Sequence, residues 1–140
     1  MPVVSITRLR VRSVRHLPAF LWYAFRSGRQ AAKAEGNIAA RVMNDCNRTF
    51  WTATVWTTDA AMKNFMMAGP HRDAMRKLLE WCDEAALVHW DQEIEQPPAW
   101  PEAYRRLRNE GRRSKVNHPS AAHTAYTFAE PLSRRGIRLK

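Results

Sequence analysis

The sequence predicts an α+β fold of the ferredoxin-like kind, with its elements in the order βαββαβ. Four runs rich in β-branched and aromatic residues are typical of strands, and two stretches between them carry apolar residues at helical spacing. The third of these strands is apolar on both faces, which indicates that a second sheet packs against the first, as in a dimer. A C-terminal helix and an extended tail follow the βαββαβ unit.

The first strand and helix are predicted from residues 3–36. Val3 to Val11 carries arginines in its second half, so one face or edge of this strand reaches solvent. Pro18 lies near the start of the following helix and Gly36 ends it. Gly28 lies mid-helix at a cost of about 1 kcal/mol relative to alanine, which indicates close packing unless the cost is simply tolerated. The predicted buried stripe consists of Leu17, Phe20, Leu21, Ala24, Phe25, Gly28 and Ala32.

Two strands joined by a tight turn come next. Asn37 to Met43 is predicted as the second strand, and residues 44–47 form a turn whose Asn and Asp residues tolerate left-handed backbone. The third strand is predicted within Thr49 to Thr57. One face of this strand carries Phe50, Thr52, Thr54 and Trp56, and the other carries Trp51, Ala53 and Val55.

A broken helix precedes the fourth strand. Thr58-Asp59 is a helix-start signal, and the short helix Ala60 to Ala68 is closed by Gly69-Pro70. A second helix is predicted from His71 to Ala86 and the fourth strand from Leu87 to Ile94. The acidic face of this strand is expected to be solvated or to pair with the basic first strand.

The composition changes after two consecutive prolines, Pro97-Pro98. This change predicts a ferredoxin-like domain in residues 1–97 and a C-terminal part in residues 98–140. Pro101 to Glu110 is predicted as a polar helix. The basic tail after it has no core of its own, so we expect it to pack on the domain or on a partner subunit.

The net charge of +10 is concentrated at the two ends of the chain. Lys and Arg outnumber Asp and Glu by nine to two in residues 1–48 and by ten to three in residues 101–140, whereas acids prevail by eight to four in between. Such basicity is compatible with nucleic acid, an anionic membrane surface, an acidic partner or self-pairing. Because no nucleic-acid recognition motif accompanies the charge, nucleic-acid binding is the least favoured function.

Other function classes lack their sequence signals. No apolar run approaches the roughly 18 residues of a membrane span, and the N-terminus does not have the layout of a secretory signal. Cys46 and Cys82 have no metal-ligand spacing, so we expect reduced thiols in a cytoplasmic protein without a metal site. The sequence contains no CxxC motif, Gly-rich phosphate loop or Ser-His-Asp arrangement.

Short motifs in the domain and one in the tail carry a family resemblance. They are Leu17-Pro18-Ala19-Phe20-Leu21-Trp22, Phe50-Trp51-Thr52-x-Thr54-x-Trp56, Ala61-Met62-x-x-Phe65-Met66, Gly69-x-His71-x-x-x-Met75 and Ser114-Lys115-Val116-Asn117-His118-Pro119-Ser120. With them the chain resembles a family of uncharacterised bacterial proteins related to antibiotic biosynthesis monooxygenase domains and, more distantly, to spheroidene monooxygenase. The resemblance covers residues 3–96 and the tail motif. It implies a homodimer in which two ferredoxin-like sheets close into a dimeric α+β barrel.

The resemblance implies less about chemistry. Members of the broader fold superfamily oxidise aromatic substrates without a cofactor, bind or degrade haem, or have no known activity. The implied cofactor is therefore none or haem. Haem-degrading relatives place an axial histidine on the helix that corresponds to the one starting at His71.

His71 is the candidate catalytic residue. As an early residue of a helix it feels the positive end of the helix dipole, which lowers its pKa and favours the neutral imidazole. A neutral imidazole can act as a base or bind haem iron. The alternative is a structural role, in which the ring caps the preceding helix or forms a hydrogen bond with a carbonyl.

Around this histidine we expect a pocket for a hydrophobic ligand between sheet and helices. Aromatic residues at strand and helix spacing can equally form a core, so both roles stay open for them. The predicted pocket residues are Phe20, Phe50, Trp56, Phe65 and Met75.

Other charged and titratable residues have less specific predictions. Arg8, Arg10 and Arg12 could bind an anionic group such as a propionate, but pairing with the acidic fourth strand is favoured. His118 and His123 are expected at the surface.

The sequence thus predicts a monooxygenase-like protein that binds an aromatic, isoprenoid or haem-like ligand. If catalytic, the protein is an oxidoreductase. The alternative is a dimeric ligand-binding or structural module without catalysis.

Overall fold

A computed structural model describes residues 1–132 and 136–140, without the side chains of Pro70, Gly136 and Ile137. Over this part of the chain the strands form one antiparallel sheet in the order β5-β4-β1-β3-β2-β6. The strands are β1 Val3–Val11, β2 Asn37–Asp45, β3 Thr49–Trp56, β4 Cys82–Asp91, β5 Arg112–Arg113 and β6 Gly136–Arg138. The helices are α1 Leu17–Lys33, α2 Asp59–Met66, α3 Gly69–Trp81, α4 Trp100–Glu110 and α5 Ala121–Ala125, and a 3-10 turn, Val14–His16, precedes α1.

The central strands have the order β4-β1-β3-β2, which confirms the predicted ferredoxin-like fold. The boundary between α3 and β4 is the main difference from the prediction. The helix ends at Trp81 and the strand starts at Cys82, so the predicted extension of the helix to Ala86 is wrong. Cys82 and Ala86 fit a helical stripe, but pairing of β4 with β1 from Val11 onward places both in a buried strand.

The register of the sheet assigns side chains to two faces. On the helix face, Val3 and Trp56 contact residues of α2, while Phe50 contacts residues of α1 and α3. On the opposite face, Val4 and Ile6 of β1 lie beside Val55 and Ala53 of β3. Both faces of β3 are therefore covered, and the apolar residues predicted on each face are buried or half-buried, with Thr52 and Thr54 between Phe50 and Trp56 on the helix face.

The opposite face is covered by residues 98–132, which we call the C-terminal arm. Ala103 and Leu107 of α4 and Phe128 share one buried cluster with Trp51, Val55 and other sheet residues. The Tyr104 hydroxyl donates to the Phe128 carbonyl at 3.1 Å and fixes the two parts of the arm to each other. A single chain thus buries both sheet faces, so the apolar second face does not by itself require a dimer.

The basic first strand pairs with acids, although not with those the sequence analysis favoured. Arg8 donates to Glu84 at 2.7 Å, Arg10 to Asp83 at 2.5 Å and Arg12 to Glu80 at 3.0 Å. Because β4 begins at Cys82, these acids lie at the end of α3 and the start of β4. Arg8 and Glu84 are both buried, and the Arg8 guanidinium lies 4.5 Å from the centre of the Phe128 ring.

Three surface predictions have different outcomes. His118 is exposed, as predicted, and its Nε2 lies 3.0 Å from Glu80. The prediction for His123 is wrong, since this residue of the arm is buried and its Nδ1 accepts a hydrogen bond from the Ala85 amide. The predicted burial of Leu21 and Phe25 is also wrong, because both side chains are exposed on the outer side of α1.

Candidate functional site

The break between α2 and α3 is held by one side-chain amide from α1. The Gln30 Nε2 donates to the Ala68 carbonyl at 2.7 Å and to the Phe65 carbonyl at 3.3 Å. Its Oε1 accepts from the His71 amide at 2.8 Å. Gly69 adopts a φ of 53° at this break, a conformation that favours glycine. Gln30 therefore fixes the position of His71 relative to α1.

The His71 ring is arranged to leave one nitrogen free. Its Nδ1 lies 3.3 Å from the Met66 carbonyl, and because a carbonyl only accepts, Nδ1 carries the proton. Burial lowers the pKa of His71, and the bond to Met66 offsets this only in part. The direction agrees with the sequence prediction, although burial is the largest cause. The neutral ring then has an unprotonated Nε2, which no hydrogen bond among the described residues engages.

Two aromatic rings connect His71 to the sheet. The Phe65 ring lies 4.4 Å from the imidazole and 5.1 Å from the Trp56 ring, between centroids. The Trp56 Nε1 donates to the Thr54 hydroxyl at 2.9 Å, so its indole has a fixed orientation. Three of the predicted site residues, Trp56, Phe65 and His71, thus form one stack at one end of the helix face.

A group of hydroxyl residues lies on the helix face beside this stack. Ser5 pairs with Thr54 and Thr7 with Thr52 across β1 and β3, and His89 of β4 pairs with Ser5 on the other side. Ser5, Thr7, Thr52 and His89 are only half-buried although β1 and β4 lie inside the sheet. The sequence analysis did not identify this set of hydroxyl residues. The alternation of polar and apolar residues in β1 indicates that Ser5 and Thr7 share one face. Only the pairing of the strands brings these two residues next to Thr54 and Thr52 of β3.

The part of α1 above the sheet carries small side chains. Ala24, Ser27 and Ala31 follow Phe20 at helical spacing on the side of α1 that faces the sheet. Ala24 is exposed despite this position, so its predicted burial is wrong.

The other predicted pocket residues do not join the stack. Phe20 and Phe50 contact each other, with ring centroids 4.9 Å apart, in a separate cluster at the far end of the helix face. Met75 is 42% exposed on α3 and lies outside this arrangement.

Two open grooves of about 460 and 320 Å³ lie beside the C-terminal arm instead. Arg113 and Thr124 line both of them, and none of the predicted site residues lines either. Their shallow form leaves a bound molecule largely in solvent, so we do not place the functional site there.

Over the described residues, no cluster of three or more His, Cys, Asp or Glu side chains could hold a metal ion. In the same part of the chain no helix is long and apolar enough to cross a membrane.

The family assignment comes from a sequence-family model. The model described as a domain of unknown function, DUF3291, matches residues 11–138. The chain belongs to the DUF3291 family. Together with the structural neighbours below, this membership confirms the resemblance predicted from the motifs. No curated protein matches the chain.

Solved structures similar to this DUF3291 chain include monooxygenase-like proteins. A variant of SnoaB, a cofactor-independent oxygenase from Streptomyces nogalater, matches with a TM-score of 0.56 at 13% identity, over 69% of this chain and 98% of that chain. A proposed antibiotic biosynthesis monooxygenase from Nitrosomonas europaea matches with 0.58 at 14%, over 65% and 89%. Rv0793 from Mycobacterium tuberculosis matches with 0.61 at 11%, over 68% and 98%. At these identities the likeness establishes a shared, monooxygenase-like fold and nothing further.

Proposed function

We propose that this protein binds a hydrophobic aromatic or isoprenoid molecule between the sheet and helices α1 and α3, and that His71 removes a proton from it in a monooxygenase-like reaction. The observation that carries the proposal is the neutral His71 ring, whose Nδ1 contacts the Met66 carbonyl while its Nε2 has no hydrogen-bond partner among the described residues. Phe65 and Trp56 supply an apolar wall beside it. The structurally similar SnoaB is described as a cofactor-independent oxygenase, which supports the same reaction class.

The reaction we propose needs only the substrate, O2 and a base. His71 Nε2 accepts a proton from a CH2 group that lies between two aromatic rings and opposite a ring carbonyl, as in an anthrone, and the resulting carbanion transfers electrons to O2. A C–O bond forms, and the hydroperoxide loses water to leave a new C=O group. The sum is CH2 plus O2 to C=O plus H2O. In this proposal Ser5 and Thr7 of β1 and Thr52 of β3 donate hydrogen bonds to the substrate's oxygen atoms.

A haem-binding form of the proposal uses the same histidine. The unprotonated Nε2 of the neutral His71 ring would bind haem iron, and Trp56 and Phe65 would supply apolar contacts to the haem. Bound haem would supply oxygen activation. The absorbance spectrum of the purified protein, with and without added haemin, separates the two forms: a Soret band that His71→Ala abolishes identifies the haem form.

The test of the cofactor-free form measures O2 consumption with an anthrone-type substrate. We expect His71→Gln to lower the rate at least about 100-fold, the usual contribution of a positioned base. The wild-type rate should fall only when the pH drops below the lowered pKa of His71. His16→Gln, a change of a half-buried histidine outside the site, should leave the rate unchanged. A His71→Gln protein that is as active as the wild type contradicts the proposal.

A ligand-binding role without catalysis is the second candidate. It is favoured by the partner that His71 already has in Met66, a carbonyl bond that a purely structural histidine would also form. Mass analysis of ligands bound to the purified protein distinguishes it. A copurified apolar ligand together with no O2 consumption supports binding alone.

The homodimer implied by the family resemblance is also part of the proposal. Because the C-terminal arm covers the second sheet face, a barrel-like dimer would need the arm to move or to exchange between subunits. The molar mass in solution, measured by light scattering, tests for the dimer. A monomer at all concentrations contradicts this part of the proposal.

A further inference from the structure

We propose that the outer surface of α1 docks the protein on an anionic membrane surface. Leu21, Trp22 and Phe25 project from this helix with 49%, 59% and 58% of their surfaces exposed. At about 100° per residue they occupy one arc, roughly opposite the side of α1 that contacts the sheet. No element of the described chain covers them. This is the largest group of exposed large apolar side chains on one helix of the described structure.

The charges around these side chains indicate a negatively charged partner. Arg15 precedes them, Arg26, Arg29 and Lys33 follow them, and all four are exposed. From Arg12 to Ala34 the sequence contains no acidic residue. Leu, Trp and Phe beside arginines are the composition of helices that lie in the headgroup region of a bilayer. The apolar side chains would enter the acyl boundary while the guanidinium groups bind lipid phosphates.

A second copy of this chain fits the same surface poorly. A symmetric contact through α1 would bring the basic residues of one copy against those of the other, and like charges across an interface oppose association. A negatively charged surface has the complementary sign. The net charge of +10 adds long-range attraction in the same direction.

The surface also continues from α1 to the edge of the sheet. A methyl group at Gly28 would lie 3.0 Å from the Leu139 side chain, so the glycine lets this partly exposed leucine pack beside α1. Leu21, Phe25 and Gly28 follow at i, i+4 and i+7 on one side of the helix, so Leu139 extends the apolar area in that direction.

The test uses full-length protein and sedimentation with vesicles. Vesicles of phosphatidylcholine with phosphatidylglycerol should bind the protein at least about ten-fold more tightly than phosphatidylcholine alone, and added salt should weaken the binding. Leu21→Ser/Phe25→Ser should bind anionic vesicles about ten-fold more weakly. Arg26→Gln/Arg29→Gln should lose the preference for anionic lipid. Ile94→Ser removes an equally exposed apolar side chain elsewhere and should bind like the wild type.

Three outcomes overturn the proposal. Equal binding by the wild type and Leu21→Ser/Phe25→Ser, with unchanged near-ultraviolet circular dichroism, excludes a role of α1. A dimer that becomes monomeric in this variant identifies a second copy as the occupant of the surface. Failure of the wild type to bind either vesicle excludes a membrane and leaves a protein partner to occupy α1.

Discussion

At the residue scale, Gln30 determines the geometry of the candidate site. Its amide makes three hydrogen bonds to the backbone around the break between α2 and α3, and one of them holds the His71 amide. A glutamine in the middle of a helix carries no sequence signal for this role. Its importance comes from α1 passing next to the break, where the His71 amide lies in the first turn of α3 and has no helical partner.

Replacing this amide should destabilise the protein. Gln30→Met keeps the length of the side chain but removes the partner of the His71 amide and leaves the Phe65 and Ala68 carbonyls only their backbone partners. We expect a loss of about 1–3 kcal/mol in the free energy of unfolding. Urea denaturation measures it. Lys33→Met, an exposed change one turn further along α1, should alter the value by less than about 0.5 kcal/mol. A Gln30→Met protein as stable as the wild type would show that the bonds contribute nothing.

At the element scale, the environments of two glycines predict opposite effects of alanine. Gly28 interrupts α1, and a Cβ there meets only the tip of Leu139, which can shift. At Gly111, which ends α4, a Cβ would lie 2.4 Å from the Leu107 carbonyl and 2.6 Å from the Tyr126 hydroxyl. Neither the backbone of α4 nor Tyr126, which donates to that carbonyl at 2.5 Å, can move easily.

We therefore expect Gly28→Ala to leave the protein equally stable or to raise its stability by up to about 1 kcal/mol, because helix propensity improves. Gly111→Ala should lower the stability by roughly 1–3 kcal/mol through steric overlap. Thermal unfolding of the two variants provides the comparison, and each serves as the control of the other. The reverse order of stabilities would contradict the packing described for α1 and α4.

At the scale of the whole molecule, the C-terminal arm and the sheet share one core. Leu107 is 1% exposed against the sheet face that the arm covers. Leu107→Ala should lower the free energy of unfolding by about 2–5 kcal/mol and keep a single unfolding transition. Leu132→Ala is the matched control, since this leucine is 78% exposed. Two separate transitions, with only one affected by Leu107→Ala, would show that the arm folds apart from the sheet. The predicted boundary between residues 1–97 and 98–140 stays a prediction until then.

Buried and half-buried histidines also give the stability of the whole molecule a pH dependence. Burial lowers the pKa values of His71, His89 and His123 below the ordinary 6.5, and the positive charge of Arg112 or Arg113 lowers the last two further. As the pH falls through 6.5, the unfolded chain takes up protons that the folded chain does not, so stability is lost toward acid. The melting temperature should fall between pH 7.5 and pH 5, and less steeply in His89→Gln. A melting temperature that stays constant over this range would contradict the burial of these rings.

The sequence by itself determined the α+β class, the order βαββαβ, the two apolar faces of β3 and the helix break at His71. These follow from local periodicity, β-branched and aromatic runs and Gly-Pro signals, all of which act within a few residues. The motifs around the break also determined the family. The end of α3 at Trp81 could not be predicted from the sequence, because Cys82 and Ala86 fit both a helical and a strand pattern. Only the pairing of β4 with β1 selects the strand.

Only the tertiary structure determined which elements and side chains contact each other. Four features join residues that are far apart in the chain. They are the arm on the second sheet face, the Gln30 amide at the break, the pairing of Ser5 with Thr54 and the burial of His123. Such contacts depend on how whole elements pack. The energy of one contact is too small to produce a recognisable pattern in the local sequence. For the same reason the exposure of Leu21, Trp22 and Phe25 appeared only once α1 lay on the sheet, since an isolated helix does not show which of its apolar sides will be buried.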